Sequence, residues 1–227
     1  MPRSKSSRAW LRRHVRDPYV HRAKAQGYRS RAAFKLIQIV ERDRLLHAGS
    51  VVIDLGAAPG GWSQSLAERV GPRGRVIAVD LQEMAPIPGV VAVHGDFQEE
   101  SVRLQLRDLL DGARADLVVS DMSPNLSGVS ATDQARSIHL CEIALEFARA
   151  HLKPRGAFLV KVFQGAGYPA FLEAMRRAFA EVVSRKPEAS RGRSSEMYVL
   201  GRKLRSSSQD SGFEVRNPAR GKGFAEC

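Results

Sequence analysis

The sequence predicts an α/β protein with a mostly parallel sheet, on three observations. Short apolar runs rich in β-branched residues alternate with segments of helical spacing from Val51 onward. The first run, Val51-Val52-Ile53, passes straight into a glycine turn, Asp54-Leu-Gly-Ala-Ala-Pro-Gly-Gly-Trp-Ser63, and then into a helical pattern, Gln64 to Val70. The last two runs, Glu181-Val-Val-Ser184 and Met197-Tyr-Val-Leu200, are joined by a link too short to hold a crossover helix comfortably, so this pair is expected to be antiparallel.

The glycine turn organises the rest. Gly56, Gly60 and Gly61 lie between strand end and helix start, where glycine permits positive φ and close approach of a ligand to the main chain. The ligand would sit at the carboxyl end of the strand, against the free amides of the helix start. A phosphate loop is excluded, because Trp62 stands where its lysine belongs, and the dinucleotide fingerprint is excluded because Gly56 is followed by Ala57-Ala58-Pro59. A nucleoside ligand without a polyphosphate fits better, and S-adenosylmethionine is the foremost candidate. The alternative is a tight turn whose glycines only pack.

The chain has 227 residues and 43% hydrophobic content, enough for one α/β domain with a sizeable core. Its formal net charge of +12 favours an anionic partner, with nucleic acid first. The charge is unevenly spread. From Arg3 to Arg31 ten basic residues stand against Asp17 alone, with Trp10, Tyr19 and Tyr28 interleaved, and a second cluster runs from Arg185 to Arg205. Basic residues neutralise phosphates and aromatics stack on unpaired bases. The alternative is a solvated arm whose aromatics dock on the domain. Two cysteines, Cys141 and Cys227, make neither a disulfide framework nor a metal spacing, which points to a reducing compartment. No apolar stretch reaches membrane-spanning length, and the N-terminus has no apolar signal core.

Along the chain, Ser30 is placed to cap a helix from Arg31 to about Leu46, with Phe34, Ile37 and Val40 as its buried stripe, helped by Leu36, and Lys35 beside it. By pattern alone Lys35 is a solvated lysine. Val76 to Val79 is a second strand ending at Asp80, whose carboxylate is placed to accept from a ribose diol or to cap a helix. Val90 to Val93 leads to Asp96, a candidate for the adenine amino group and equally for a helix cap. Asp116 to Ser120 runs into Asp121-Met-Ser-Pro-Asn125, then a polar loop to Thr132 that could serve as a substrate flap. Ala135 to Leu152 is a helix stopped by Pro154 and Gly156. Ala157 to Phe163 is a strand, apolar except for Lys161, which is either exposed on an edge strand or, in a central strand covered on both faces, there for a functional reason, the favoured reading. Pro169 to Ala180 is an amphipathic helix. If Glu181 to Ser184 runs parallel to the other strands, the last strand starts at the carboxyl edge, and Glu196 joins Asp121 and Lys161 there.

Four segments together carry a resemblance: Asp54 to Gln64, Asp121-Met-Ser-Pro-Asn125, Val160-Lys-Val-Phe-Gln-Gly165 and Arg185 to Glu196, supported by Ser30-Arg-Ala-Ala-Phe-Lys-Leu36. The chain resembles the FtsJ-type ribosomal RNA 2′-O-methyltransferases over about Ser6 to Arg202. The resemblance implies a Rossmann-like class I methyltransferase fold, with a seven-stranded mostly parallel sheet and one antiparallel strand near the C-terminus. It implies S-adenosyl-L-methionine as donor, a catalytic set of Lys35, Asp121, Lys161 and Glu196, and donor-site residues Gly60, Trp62, Asp80, Asp96 and Asp121, to which the glycine turn adds Gly56. No metal is needed, because the sulfonium already activates the methyl group. The implied substrate is a uridine of large-subunit ribosomal RNA. The expected organisation is a basic arm over 1–30, a methyltransferase domain over 31–204 and a disordered tail over 205–227. Because the likeness begins near Ser6, a removable transit peptide is not expected; the expectation is a cytoplasmic monomer acting on ribosomal RNA or the large subunit. Lys161 is expected to orient the 2′-hydroxyl and stabilise its developing charge rather than act as a deprotonated base. Rival readings are methylation of tRNA or an mRNA cap, and a non-catalytic RNA-binding assembly factor.

Overall fold

In the computed structural model, which describes residues 17–125, 127–190 and 194–205, seven strands form one sheet. They are β1 (Val51–Leu55), β2 (Arg75–Asp80), β3 (Val90–His94), β4 (Ala115–Ser120), β5 (Leu152–Phe163), β6 (Phe179–Arg185) and β7 (Glu196–Leu204), in the order β3-β2-β1-β4-β5-β7-β6. The pairs from β3 through β5 are parallel, while β7 runs antiparallel to both β5 and β6. This is the mostly parallel sheet with one antiparallel strand that the short final link dictates. The order reverses between β1 and β4, and that reversal opens a crevice at their carboxyl ends.

Among the described residues there are six helices: α1 (Pro18–Ala25), which packs on α2 (Ala33–Asp43), and α3 (Gly61–Val70), α4 (Glu100–Leu110), α5 (Ser130–His151) and α6 (Tyr168–Ala178), which with α2 flank the sheet. The central strands are apolar on both sides because both sides are packed. On one face Leu106 and Leu110 of α4, Ala144 and Phe147 of α5, and Phe171 and Met175 of α6 meet Ile53, Ile77, Val118 and Phe158. On the other, Leu36, Ile39 and Val40 of α2 and Trp62, Leu66 and Val70 of α3 meet Val52, Val76, Leu117, Leu159 and Tyr198. Each of these large side chains contributes about 1.5–3 kcal/mol by burial.

Several boundaries differ from the expectations. Helix α2 is shorter; of its expected stripe Phe34, Leu36 and Val40 are buried, Phe34 against Ala23 and Ala189, while Ile37 is only half-buried and Ile39 is buried in its stead. Ser30 does not cap it; Ala32 holds the N-cap position without a side-chain bond, and the Ser30 hydroxyl lies against Gly61, where a β-carbon would collide with it. Helix α3 starts at Gly61, so Trp62 is helical rather than part of the turn. Helix α5 starts at Ser130, taking the end of the expected flap into its first turn. Strand β5 includes Leu152 to Gly156, with a break in its pairing to β4 before Ala157.

The basic arm is described from Asp17 onward, and this part is folded. Asp17 accepts from the Tyr19 amide at 3.0 Å and Pro18 opens the helix, a cap and first-turn proline that together start α1. Arg31 then pairs with Asp17 at 2.8 Å and donates to the Ala189 carbonyl, docking α1 and the 186–190 segment on the start of α2. The rest of the arm, with Arg3, Lys5, Arg8, Trp10, Arg12 and Arg13, lies outside the described residues, as do Leu126 of the flap, Arg191, Arg193 and the tail from 206.

The far end of α2 is tied to the sheet edge by charge. Asp43 accepts from Arg185 at 2.6 and 2.8 Å, and Arg202 stands 3.1 Å from the same carboxylate. Asp43→Ala leaves two guanidinium groups facing each other without their anion. It should lower unfolding free energy in urea by about 2–3 kcal/mol; a loss below about 0.5 kcal/mol would show that the ions are already solvated.

Candidate active site

The register between β5 and β7 sets Lys161 opposite Tyr198 and Phe163 opposite Glu196. Opposed residues share a face, and alternate residues along a strand do too, so Lys161, Phe163, Glu196 and Tyr198 project to one side of the sheet. That side carries α2. Asp121 follows the last residue of β4, and its amide is held by the Leu55 carbonyl at 3.0 Å. Lys161 Nζ donates to the Asp121 carbonyl oxygen at 2.6 Å and stands 3.1 Å from its carboxylate. Lys35 Nζ, from α2, donates to both oxygens of Glu196 at 2.6 and 2.9 Å. The four residues of the expected catalytic set thus form two ion pairs at one edge. Lys161 is 8% exposed, a lysine tolerated in the interior only because both acceptors are within reach.

Tyr198 stands between the pairs. Its ring is fully buried and its hydroxyl donates to Asp121 at 3.4 Å. Burial, then the charges of Asp121 and Glu196, push the phenol well above its ordinary value, so it remains a donor. For Glu196, burial pushes the carboxyl up, but the charge and hydrogen bonds of Lys35 outweigh it and leave the group below the usual glutamate value. Sequence reasoning took Tyr198 as one more apolar strand residue. The available signal was its position two residues after Glu196, which puts both on one face.

A cavity of about 530 Å³ opens beside these pairs at the carboxyl ends of β1 to β4. It is lined by Gly56, Asp80, Asp96, Asp121 and Met122, with Arg136 and His139 of α5 at one side. Gly56 has φ +78°, and a β-carbon on it would sit 2.8 Å from the Met122 backbone, so only glycine lets the turn close this tightly. Asp80 accepts from the Ala58 amide at 2.9 Å and the Gln82 amide at 2.8 Å. Each carboxylate oxygen keeps a second lone pair, which leaves Asp80 able to take a vicinal diol. Asp96 accepts from the Gln98 amide at 2.9 Å; it forms a turn ahead of α4 and does not cap that helix, whose N-cap is Glu99.

The remaining two candidates lie behind the cavity. Trp62 is buried, donates from Nε1 to the Ala32 carbonyl at 2.8 Å and packs against Tyr198. Only its backbone is free to face the turn, where the first helical amides lack an acceptor within the helix. Gly60 has φ +104°, and a β-carbon on it would strike Ile87 at 2.6 Å. Arg29 backs this corner, donating to the Ala85 and Pro86 carbonyls at 2.7 and 2.8 Å. A nucleoside carrying a short charged chain fits this set: a carboxylate for the diol, an acid farther along for the base, and a glycine turn with a helix start for the chain. Among the described residues no group of His, Cys, Asp and Glu could hold a metal ion.

Asp54 was read only as the start of the turn, yet it is fully buried. Ser63 Oγ donates to one oxygen at 2.6 Å, and the other has no partner. Burial, reinforced by Asp121 and Asp80 and eased by Ser63, raises its pKa from 3.8 to about 7. The folded state therefore holds this proton more tightly than the unfolded chain does. The stability it contributes is full below 3.8 and is lost as pH rises through about 7. Asp54→Asn, which cannot ionise, should gain melting temperature relative to the wild type as pH is raised from 6 to 8. A difference independent of pH over that range would show that Asp54 does not titrate there.

Comparison with known proteins places this geometry. A family model for FtsJ-like methyltransferases matches residues 28–204. The chain is 58% identical over 202 residues, covering 89% of itself and 98% of the relative, to "Ribosomal RNA large subunit methyltransferase E" of Chromobacterium violaceum. It is 59% identical over 205 residues, 90% of itself and all of the relative, to the protein of the same name from Azoarcus sp.. Among solved structures, a ribosomal RNA methyltransferase described as putative, from Plasmodium falciparum, superposes with a TM-score of 0.69 at 25% identity over 78% of this chain and 98% of that one. With the family model spanning most of the chain and relatives more than half identical along nearly their whole length, this chain belongs to the FtsJ-like methyltransferase family.

Proposed function

We propose that the protein transfers a methyl group from S-adenosylmethionine to the ribose 2′-hydroxyl of a uridine in large-subunit ribosomal RNA. The observation that carries the reading is the Lys161–Asp121 pair standing beside a donor-shaped cavity, with Lys35–Glu196 on the same edge. The name shared by the curated relatives supports the RNA class. Asp80 would take the donor's ribose, Asp96 its adenine amino group, and the Gly56 turn, with the backbone at Gly60 and Trp62, its amino-acid chain. Bound there, the donor supplies a methyl group on a cationic sulfur, ready for in-line displacement.

The chain's own part is alignment and electrostatics. Lys161 Nζ orients the attacking oxygen and stabilises the charge that grows on it. Asp121 holds Lys161 by two oxygens and lines the cavity, so it relates donor to nucleophile. Lys35 and Glu196 hold the far side of the ribose, with Tyr198 fixing the carboxylates relative to each other. RNA phosphates would be met by basic side chains, among the described residues Arg185 and Lys186. The protein would act as a cytoplasmic monomer; among the described residues no helix is long and apolar enough to cross a membrane.

The direct test is transfer of labelled methyl to large ribosomal subunits, free ribosomal RNA and tRNA, followed by mapping. Label on a ribose of large-subunit RNA is expected; label on tRNA alone, or on a base, would reject the reading. Lys161→Ala should slow transfer by at least about 100-fold while donor affinity barely changes, because a cationic donor gains nothing from a nearby ammonium. A fully active Lys161→Ala would remove the residue from the mechanism. Asp80→Ala should weaken donor binding by about 1–3 kcal/mol in calorimetry, and unchanged affinity in a folded variant would place the ribose elsewhere.

A further inference from the structure

The first turn of α5 holds two loops at once. Asp133 accepts from the Ser127 amide and hydroxyl, both at 2.7 Å, and from the Gly128 amide at 3.0 Å. These residues belong to the loop that follows Asp121. The next residue, Gln134, turns to the opposite loop, the one that follows Lys161. With its amide oxygen facing that loop, Gln134 accepts from the Gly165 amide at 3.2 Å and the Ala166 amide at 3.0 Å. The same loop reaches the last partner: the Gln164 amide donates to the Ser195 carbonyl at 2.9 Å, one residue before Glu196.

Close packing shows that this contact is built in. A β-carbon on Gly165 would fall inside the Gln134 amide, and one on Gly167 would meet Ile138 at 2.7 Å, one helical turn farther along α5. Gly165 does not need glycine for its backbone, since its φ is not positive. What requires glycine there is the room taken by the Gln134 side chain.

We infer that Gln134 is a positioning residue for methyl transfer: it fixes the 164–166 loop, and through it the end of β5 that carries Lys161 and the start of β7 that carries Glu196. The inference rests on the proposed function, in which Lys161 and Glu196 act at the ribose. Its chemical content is specific. Two backbone N–H groups converge on one acceptor, so the side chain must offer an oxygen. Glutamate can replace glutamine, because a carboxylate oxygen accepts the same two N–H groups. Alanine cannot replace it. Lys161 is bonded to Asp121 and to neither Gln134 nor Gly165, so both act through the loop.

The test uses single-turnover transfer of labelled methyl to large ribosomal subunits at saturating donor. Gln134→Ala should slow the step by about 10-fold or more, as expected when reacting groups lose alignment, with donor affinity unchanged and the RNA concentration for half-saturation little moved. Gly165→Ala leaves Gln134 in place but displaces its amide, and should produce the same defect. Because both changes break one contact, the double variant should be no slower than the slower single variant. Gln134→Glu should keep most of the wild-type rate. Losses that multiply in the double variant, a Gln134→Glu as slow as Gln134→Ala, or single variants at the wild-type rate would each overturn the inference alone. No transfer by the wild-type protein would overturn the functional reading and the inference with it. Melting temperatures of all variants separate these outcomes from loss of fold, and Gly165→Ala carries the test if Gln134→Ala unfolds.

Discussion

The antiparallel insertion of β7 between β5 and β6 is the constraint on which the site depends. Strand β7 begins at Glu196 and ends at Leu204. Had it run parallel to its neighbours, Glu196 would start at the amino edge, about 20 Å from Lys161 at the rise of a strand. Running antiparallel, it starts where β4 and β5 end. One hydrogen-bond register then does the rest, setting Tyr198 across from Lys161 and Glu196 across from Phe163. The helix that supplies Lys35 is held over this face by Leu36, Ile39 and Val40, and by Asp43 at its far end.

Charge is arranged in this corner with compensation nearby. Two lysines and two carboxylates sit within a partly buried space, each cation against an anion, and a neutral phenol joins the anions. Removing any one of the four charges leaves a partner exposed to a low-dielectric surrounding, so such variants alter more than a single contact. Asp54 provides the contrast. It lies under the glycine turn with only the Ser63 hydroxyl for company, and burial leaves it half inclined to keep its proton at neutral pH.

Much of this was legible in the residues because strands and turns are written locally. Val51 to Ile53 before three glycines, Asp80 after a second apolar run, and Lys161 inside a third each mark a carboxyl edge. The length of the Arg185 to Glu196 link dictates the antiparallel pair without any knowledge of side chains. Less was legible where tertiary contact decides. Ser30 has the chemistry of a cap, but Gly61 leaves room for it and it packs there instead. The stripe of α2 is legible at Phe34, Leu36 and Val40, which are buried, but not at Ile39, which takes the sheet-facing place that the spacing assigns to Ile37. Lys35 lies beside the stripe, as a solvated lysine would, and only the distant Glu196 shows its use. Gln134 gave no signal at all, because its meaning resides in a glycine thirty-one residues later.

In the proposed mechanism Lys35, Glu196, Asp121 and Lys161, joined through Tyr198, act as one unit rather than as two independent ion pairs. A cycle on the two lysines tests it most directly. Single-turnover methyl transfer to large ribosomal subunits would be measured for Lys35→Ala, Lys161→Ala and the double variant, with donor affinity followed in parallel. Groups that act as a unit show strongly non-additive losses. If the four groups act together, the double variant is hardly slower than Lys161→Ala. Losses that multiply, each lysine contributing its full factor regardless of the other, would contradict it.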